Sequence, residues 1–230
     1  MNNHKVFLSA GHGGYDPGSV AYGLKEKEIN LQILLSCKSE LEKHGVSVVC
    51  SRTKDENDRV AEEVREANAS GAVLAVSFHV NAGKGDGFEA YYWHPNEKDK
   101  RLAELCEKYV QSLGQNSRGV KHGNHLYWCK NTKMTSCLVE SFFIDNDKDN
   151  DIGDTLVEQK AFGVAYAKAI LEYLGVEYKP NKTNESAEIV TILYNANILR
   201  DKNLWYKKIS EDKNCYWLMK KMVNYIKGDK

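Results

Sequence analysis

Hydrophobic and polar positions alternate in blocks along the chain. Short apolar runs of strand length take turns with amphipathic stretches of helix length. Lys5–Ala10 reads as a first strand and ends in a glycine-rich turn, Gly11–Gly14. Residues from Glu26 to Lys43 carry Leu31, Leu34, Leu35 and Leu41 near helical spacing, and His44-Gly45 supplies a stop signal. Val46–Cys50 is a short strand, and Asn57–Ala69 a helix with Val60, Val64 and Ala67 on one face. Val73–Phe78 is a continuous apolar run of the kind buried on both sides of a parallel sheet. Phe88–Trp93 alternates, Glu97–Leu113 is helical, and His125–Cys129 and Cys137–Phe143 read as two more strands. A long helix, Thr155–Leu174, stops at Gly175. Strands interleaved with helices imply an α/β fold: a mostly parallel or mixed twisted sheet of about six strands flanked by helices. Its active site belongs at the carboxyl ends of the strands.

The alternation breaks after residue 177. Tyr178–Ser186 is polar, contains a proline and reads as a linker. Beyond it, Glu188–Asn197, a turn with Trp205, and Cys215–Lys227 suggest a small helical C-terminal domain. The expected organisation is a catalytic domain over 1–177, a linker over 178–186 and a small domain over 187–230. The last fifty residues hold 10 Lys+Arg against 6 Asp+Glu. That is a solvated lysine-rich face or a surface for an anionic polymer. Tyr194, Trp205, Tyr206, Tyr216 and Trp217 offer rings that stack on sugars, whereas Leu218, Met222, Val223 and Ile226 fit a small core.

Over all 230 residues, Lys+Arg and Asp+Glu are both 32, which argues against general nucleic-acid binding. No apolar run has membrane-spanning length. The first ten residues lack the pattern of a secretion signal, so a cytoplasmic origin is expected. The six cysteines form no C-x-x-C pair and read as thiols, several of them buried. The seven histidines contain no H-E-x-x-H.

Three places set titratable residues at the ends of buried strands. They are His12 in AGHGG, His79 in SFHVNA and Glu140 in LVESFF. A carboxylate there is costly unless it is paired or metal-bound. Two histidines and a carboxylate suit zinc, with the fourth position left for water. Glu26 and Glu28, both at the start of the first long helix, are the candidates for the carboxylate ligand. Spacing does not choose between them, and both also fit as ordinary first-turn glutamates.

In this order the residues resemble the zinc-dependent N-acetylmuramoyl-L-alanine amidases of the amidase-3 type, a family of bacterial autolysins and phage endolysins. The resemblance runs over most of residues 5–174: AGHGGYDPGSV, GLKEKEINLQI, SRT, REANASGAVLAVSFHVNA, GFEAYYW and NTKMTSCLVESFFIDN. It implies His12, Glu26 and His79 as ligands of one zinc ion, with Glu28 as the fallback. Glu140 would be the catalytic base and acid, enclosed by Phe142 and Phe143. Asn81 would orient a ligand or shape a turn, and Arg65 and Asn68 would pack and cap the second helix. His122 and His125 would be exposed loop residues. Two departures surround the catalytic strand: Phe142 stands where the family usually has glycine, and Thr135-Ser136 replaces a small-proline pair. The implied substrate is peptidoglycan, cut between N-acetylmuramic acid and L-alanine. With no secretion signal and a C-terminal module, a phage or prophage endolysin is expected, made in the cytoplasm and acting at the wall after membrane breach. Its tail would be a candidate binder of wall polymers.

Overall fold

The structure is a computed structural model and describes residues 4–179, 189–194, 196 and 198–227. Six strands form one sheet in the order β4-β1-β5-β8-β6-β7. They are β1 (Lys5–Ala10), β4 (Ser47–Cys50), β5 (Leu74–Asn81), β6 (Phe88–Tyr92), β7 (Ser117–His122) and β8 (Thr135–Phe143). All neighbours are parallel except β6 and β8, which run antiparallel. A two-stranded hairpin, β2 (Val20–Ala21) with β3 (Leu24–Lys25), leads into the first helix.

Strand periodicity sorts the side chains into two layers. Val6, Leu8, Leu74, Val76, Phe78, Phe88, Ala90, Cys137 and Val139 join one core. Above them lie α1 (Glu26–Lys43), α3 (Glu97–Gln111) and α6 (Leu156–Leu174). The alternate positions Phe7, Ala75 and Leu138 meet Val64, Ala67 and Trp128 in a smaller core on the other face. That face is covered by α2 (Val60–Ala69) and α4 (Tyr127–Asn131). The expected α/β sheet of six strands is therefore what the chain forms.

Two local expectations are corrected. His125–Cys129 is not a strand. Residues Tyr127–Asn131 form α4, which buries Trp128 against Phe7 and donates its indole N–H to the Cys137 carbonyl at 3.1 Å. The sixth strand is β7, an edge strand of half-exposed polar residues, SRGVKH, with no apolar run to betray it. The second helix begins at Val60 rather than Asn57, because residues before it are engaged elsewhere. The Asn57 side chain, for example, accepts the Tyr15 backbone N–H at 3.0 Å. A further short helix, α5 (Asp147–Gly153), precedes α6.

The tail is helical at residues 189–194 (α7), Lys202–Glu211 (α8) and Lys213–Lys227 (α9). Ile189, Val190, Leu193, Leu199, Ile209, Tyr216, Met219 and Val223 form a third buried cluster, which Val157 of α6 joins. Tyr194 and Trp205 pack against it. Most of the expected linker, together with the side chains of Tyr206 and Trp217, lies outside the described residues. At the linker's start, Tyr178 stacks on His44, with ring centroids 5.1 Å apart. Among the described residues no helix is long and apolar enough to cross a membrane.

Candidate metal centre and active site

Each candidate side chain is placed by a different element. His12 follows β1 and sits in the left-handed region with φ 65°. Its loop is held from below by Arg52, which is 2% exposed and donates to the Ala10 carbonyl at 3.0 Å and the Lys27 carbonyl at 2.7 Å. Lys27 in turn reaches the Gly14 carbonyl and the Asp55 carboxylate, at 2.8 and 2.7 Å.

Glu26 is the first residue of α1, and α1 has no side-chain cap. Its first N–H groups bond instead to loop carbonyls, Glu26 to Ser19 at 2.9 Å and Lys27 to Pro17 at 3.1 Å. The helix start is thereby fixed to the turn that carries His12. Glu26 is buried, and its Oε2 accepts the Ser19 N–H at 2.9 Å. Glu28 points outward and pairs with Lys25, at 3.2 Å.

His79 lies within its strand rather than after Val73–Phe78, and Glu140 lies inside the strand read over Cys137–Phe143. His79 is in β5, and Glu140 faces it in register from β8. Glu89 of β6 faces Glu140 from the other side. Alternation puts all three on the α2–α4 face.

The side chains converge. Glu26 Oε1 lies 3.3 Å from His12 Nε2 and 3.0 Å from His79 Nδ1. One ligand atom from each of His12, Glu26 and His79 fits within a 4.8 Å span, a group that could hold a metal ion. His12 Nδ1 pairs with Asp16 Oδ2 at 2.8 Å, leaving Nε2 for a ligand role. Two glycines leave the room this needs. A Cβ on Gly11 would lie 2.0 Å from His79 Cε1, and one on Gly18 2.7 Å from Glu26 Oε2.

The charges are arranged for a cation. Burial works against charge on every member, yet the Glu26 carboxylate is held well below its ordinary range by His12 and His79. Burial likewise opposes a charged His12, but Glu26 and Asp16 raise it to about 9. His79 is raised too, with Glu26 and Glu140 outweighing its burial. Two imidazole nitrogens and a carboxylate oxygen make a donor set of the kind that binds borderline divalent metals.

Glu140 differs. Its Oε2 is buried with no hydrogen-bond partner among the described residues. Burial, with the Glu26 and Glu89 charges, pushes its carboxyl up to about 7 against the opposing pull of His79. Phe142 does not help to enclose it, since its ring packs on Phe162 and Gly153 in the α6-side core. Phe143 lies under Arg118 and beside Gly85. Glu140 and the three convergent residues line one open cleft of about 510 Å³ with Asp16 and Asn81.

Glu89 was not singled out from the sequence. It is buried beneath two cations, Arg118 and Lys121, and accepts from Tyr91 Oη at 2.6 Å and Asn81 Nδ2 at 3.3 Å. A charged residue amid the alternating FEAYY was the available signal. Asn68 ties α2 to the approach of β8 through the Asn131 carbonyl and the Lys133 N–H, at 2.9 and 2.8 Å, while Arg65 is exposed. His122 stacks on His94 with centroids 4.0 Å apart, and His125 meets Tyr91 edge-on. Neither belongs to the convergent group.

A family model described as N-acetylmuramoyl-L-alanine amidase matches residues 6–172. The chain belongs to this amidase family. Among its relatives, protein YqiI of Bacillus subtilis (strain 168) is 38% identical over 162 residues, 68% of this chain and 78% of that protein. The endolysin of Bacillus phage SPP1 is 35% identical over 185 residues, 76% of this chain and 67% of that one. The N-acetylmuramoyl-L-alanine amidase CwlM of Bacillus licheniformis is 35% identical over 151 residues. That match spans 63% of this chain and only 58% of CwlM. Among solved structures, the catalytic domain of the amidase CwlV from Bacillus (Paenibacillus) polymyxa var. colistinus superposes with a TM-score of 0.71 at 29% identity. The superposition covers 76% of this amidase and 99% of CwlV's domain.

Proposed function

We propose that this amidase hydrolyses the amide between the lactyl group of N-acetylmuramic acid and the L-alanine of the peptidoglycan stem peptide. His12, Glu26 and His79 would hold one zinc ion. The observation that carries the reading is the convergence of three ligand atoms beside Glu140, whose buried Oε2 has no partner among the described residues.

An amide resists hydrolysis because its carbonyl is a weak electrophile and its amine a poor leaving group. Zinc held by these residues would supply Lewis acidity to polarise the carbonyl and acidify water. Glu140 takes the proton of the attacking water and delivers it to the departing alanine nitrogen, as base and then acid. Burial raises the Glu140 carboxyl above the ordinary carboxylate range, which suits a group that must take a proton and then give it up. Asp16 fixes the ring of His12. The Ser19 and Val80 N–H groups and the Asn30 amide orient the Glu26 carboxylate. Asn81 braces Glu89.

The biological setting proposed is that of a phage or prophage endolysin, supported by the likeness to the phage SPP1 endolysin over 76% of the chain. Residues 1–177 would form the catalytic domain. Residues 187–230 would form a small domain docked on α6 through the cluster that Val157 joins. A zinc assay coupled to mass spectrometry of digested peptidoglycan tests the central reading. One equivalent of zinc and new N-terminal alanine are expected. Shortened stems with no free alanine terminus would make the chain a carboxypeptidase, and no product would make it a silent binder.

A further inference from the structure

The cleft at Glu140 is not the only concavity that reaches His12 and His79. A larger cavity of about 850 Å³ opens beside the same two rings on the α2–α4 face. Its lining includes Glu63, Ser77 and Asp58, with Tyr15 and Tyr127.

Glu63, Ser77 and Asp58 bring buried acceptor oxygens, while Asn57 and Arg59 at the same lining bring N–H donors. Glu63 is 3% exposed, and its carboxylate accepts a 2.6 Å bond from Ser9 Oγ. No lysine or arginine forms an ion pair with it among the described residues, although the buried Arg52 is near enough to attract both it and Asp58. Ser77 is 1% exposed, and its Oγ makes no hydrogen bond among the described residues. Asp58 Oδ2 is also buried without a partner among the described residues, while Ser51 and the Arg59 N–H hydrogen-bond to the Asp58 carboxylate. Apart from the two histidines, the positive charge of the lining comes from Arg59, which is exposed. Tyr15 is 94% exposed and Tyr127 50%, so their faces are free to meet a ligand.

Two carboxylates and a hydroxyl offer acceptors in excess of donors. A sugar hydroxyl needs both, whereas an ammonium brings three donors and no acceptor. Aromatic faces also attract cations. We propose that this cavity is a subsite for a primary ammonium group of the substrate, seated by Glu63 and Asp58 with Ser77 Oγ as a third acceptor. The inference rests on the peptidoglycan reading and deepens it. Its shared border with the metal-side cleft places the ammonium near the scissile amide. Peptidoglycan offers that chemistry from two sources: the side chain of a diamino acid in the stem peptide, or a glucosamine that has lost its acetyl group.

The test uses the full chain with zinc and three soluble muropeptides. The first has a free lysine side-chain amine and acetylated sugars. The second has that amine acetylated. The third has it acetylated but carries a free glucosamine. A preference in kcat/KM on the order of tenfold or more is expected for a substrate bearing a free amine, from the charge-assisted bonds it adds. Preference for the first substrate over the second names the peptide as the source, and preference for the third over the second names the glycan. The same ratios in Glu63→Gln and Asp58→Asn should fall toward one. Each ratio is internal to one protein, so a general loss of activity leaves it readable. Equal rates on all three substrates in the wild type, or an undiminished ratio in both variants, would overturn the subsite. Absence of N-terminal alanine from every substrate would instead reject the amidase reading.

Discussion

Glu140 stands directly opposite His79 across the β5–β8 ladder, and both side chains leave the sheet on the face covered by α2 and α4. Backbone pairing thus sets the proposed base beside a proposed ligand without placing it among the ligand atoms. Glu140→Gln keeps the shape and removes the proton carrier. Release of N-terminal alanine should fall by about 10²- to 10⁴-fold while zinc stays near one equivalent. Loss of the metal in that variant would move Glu140 into the ligand set.

The ligand set makes graded predictions for metal affinity. His12→Ala, His79→Ala and Glu26→Ala each remove a donor and should abolish stoichiometric zinc. Asp16→Ala leaves every donor in place but frees the His12 ring, so affinity should weaken by about 10- to 100-fold. Glu28→Gln removes an exposed partner of Lys25 and should change nothing. Competition with a fluorescent chelator separates the three classes. Full zinc retention in the histidine variants would reject the site.

Glu89 should tune the pH dependence. Its charge helps to raise the Glu140 carboxyl, which must be ionised to accept a proton. Activity therefore rises with pH through the Glu140 pKa. Glu89→Gln removes the negative charge and leaves Arg118 and Lys121 uncompensated, and both changes favour ionised Glu140. The acid limb of the kcat profile should move to lower pH. An unmoved or upward-moving limb would show that Glu89 acts only in packing.

Much of this was legible in the sequence because the buried elements announce themselves. The Val73–Phe78 run reads as a buried strand, and Leu74–Phe78 are buried in β5 with Val73 exposed just before it, while the glycines around His12 mark a close approach. The contact between Gly11 and the His79 ring gives that glycine its physical reason. Spacing alone left Glu26 and Glu28 open, since both belong to the first turn of α1. What separates them is the loop that pins the helix start, through Ser19 and Pro17, a contact between segments that no local pattern encodes. β7 was missed because an edge strand need not be apolar. His125–Cys129 misled because a one-turn helix that buries Trp128 has the composition of a strand. Glu89 and Glu63 carry no motif, and their roles follow from strand register and from a cavity.

Asp99 gives the fold a pH dependence of its own. It lies in the first turn of α3, 3% exposed, with Oδ1 accepting the Ser136 N–H. Burial pushes its carboxyl up to about 6, from an ordinary 3.8, against that bond. The folded state then holds this proton more tightly than the unfolded one. The contribution to stability is full below about 4 and is lost as pH rises through about 6. The difference caps the effect on the order of 3 kcal/mol. Asp99→Asn keeps an acceptor for Ser136 without the charge, so it should flatten this limb and raise stability at neutral pH. The gain is offset by about 0.3–1 kcal/mol of lost attraction to the α3 N-terminus. Urea unfolding of both proteins between pH 4.5 and 7.5 checks it, and parallel stability curves would mean that Asp99 does not hold its proton in the fold.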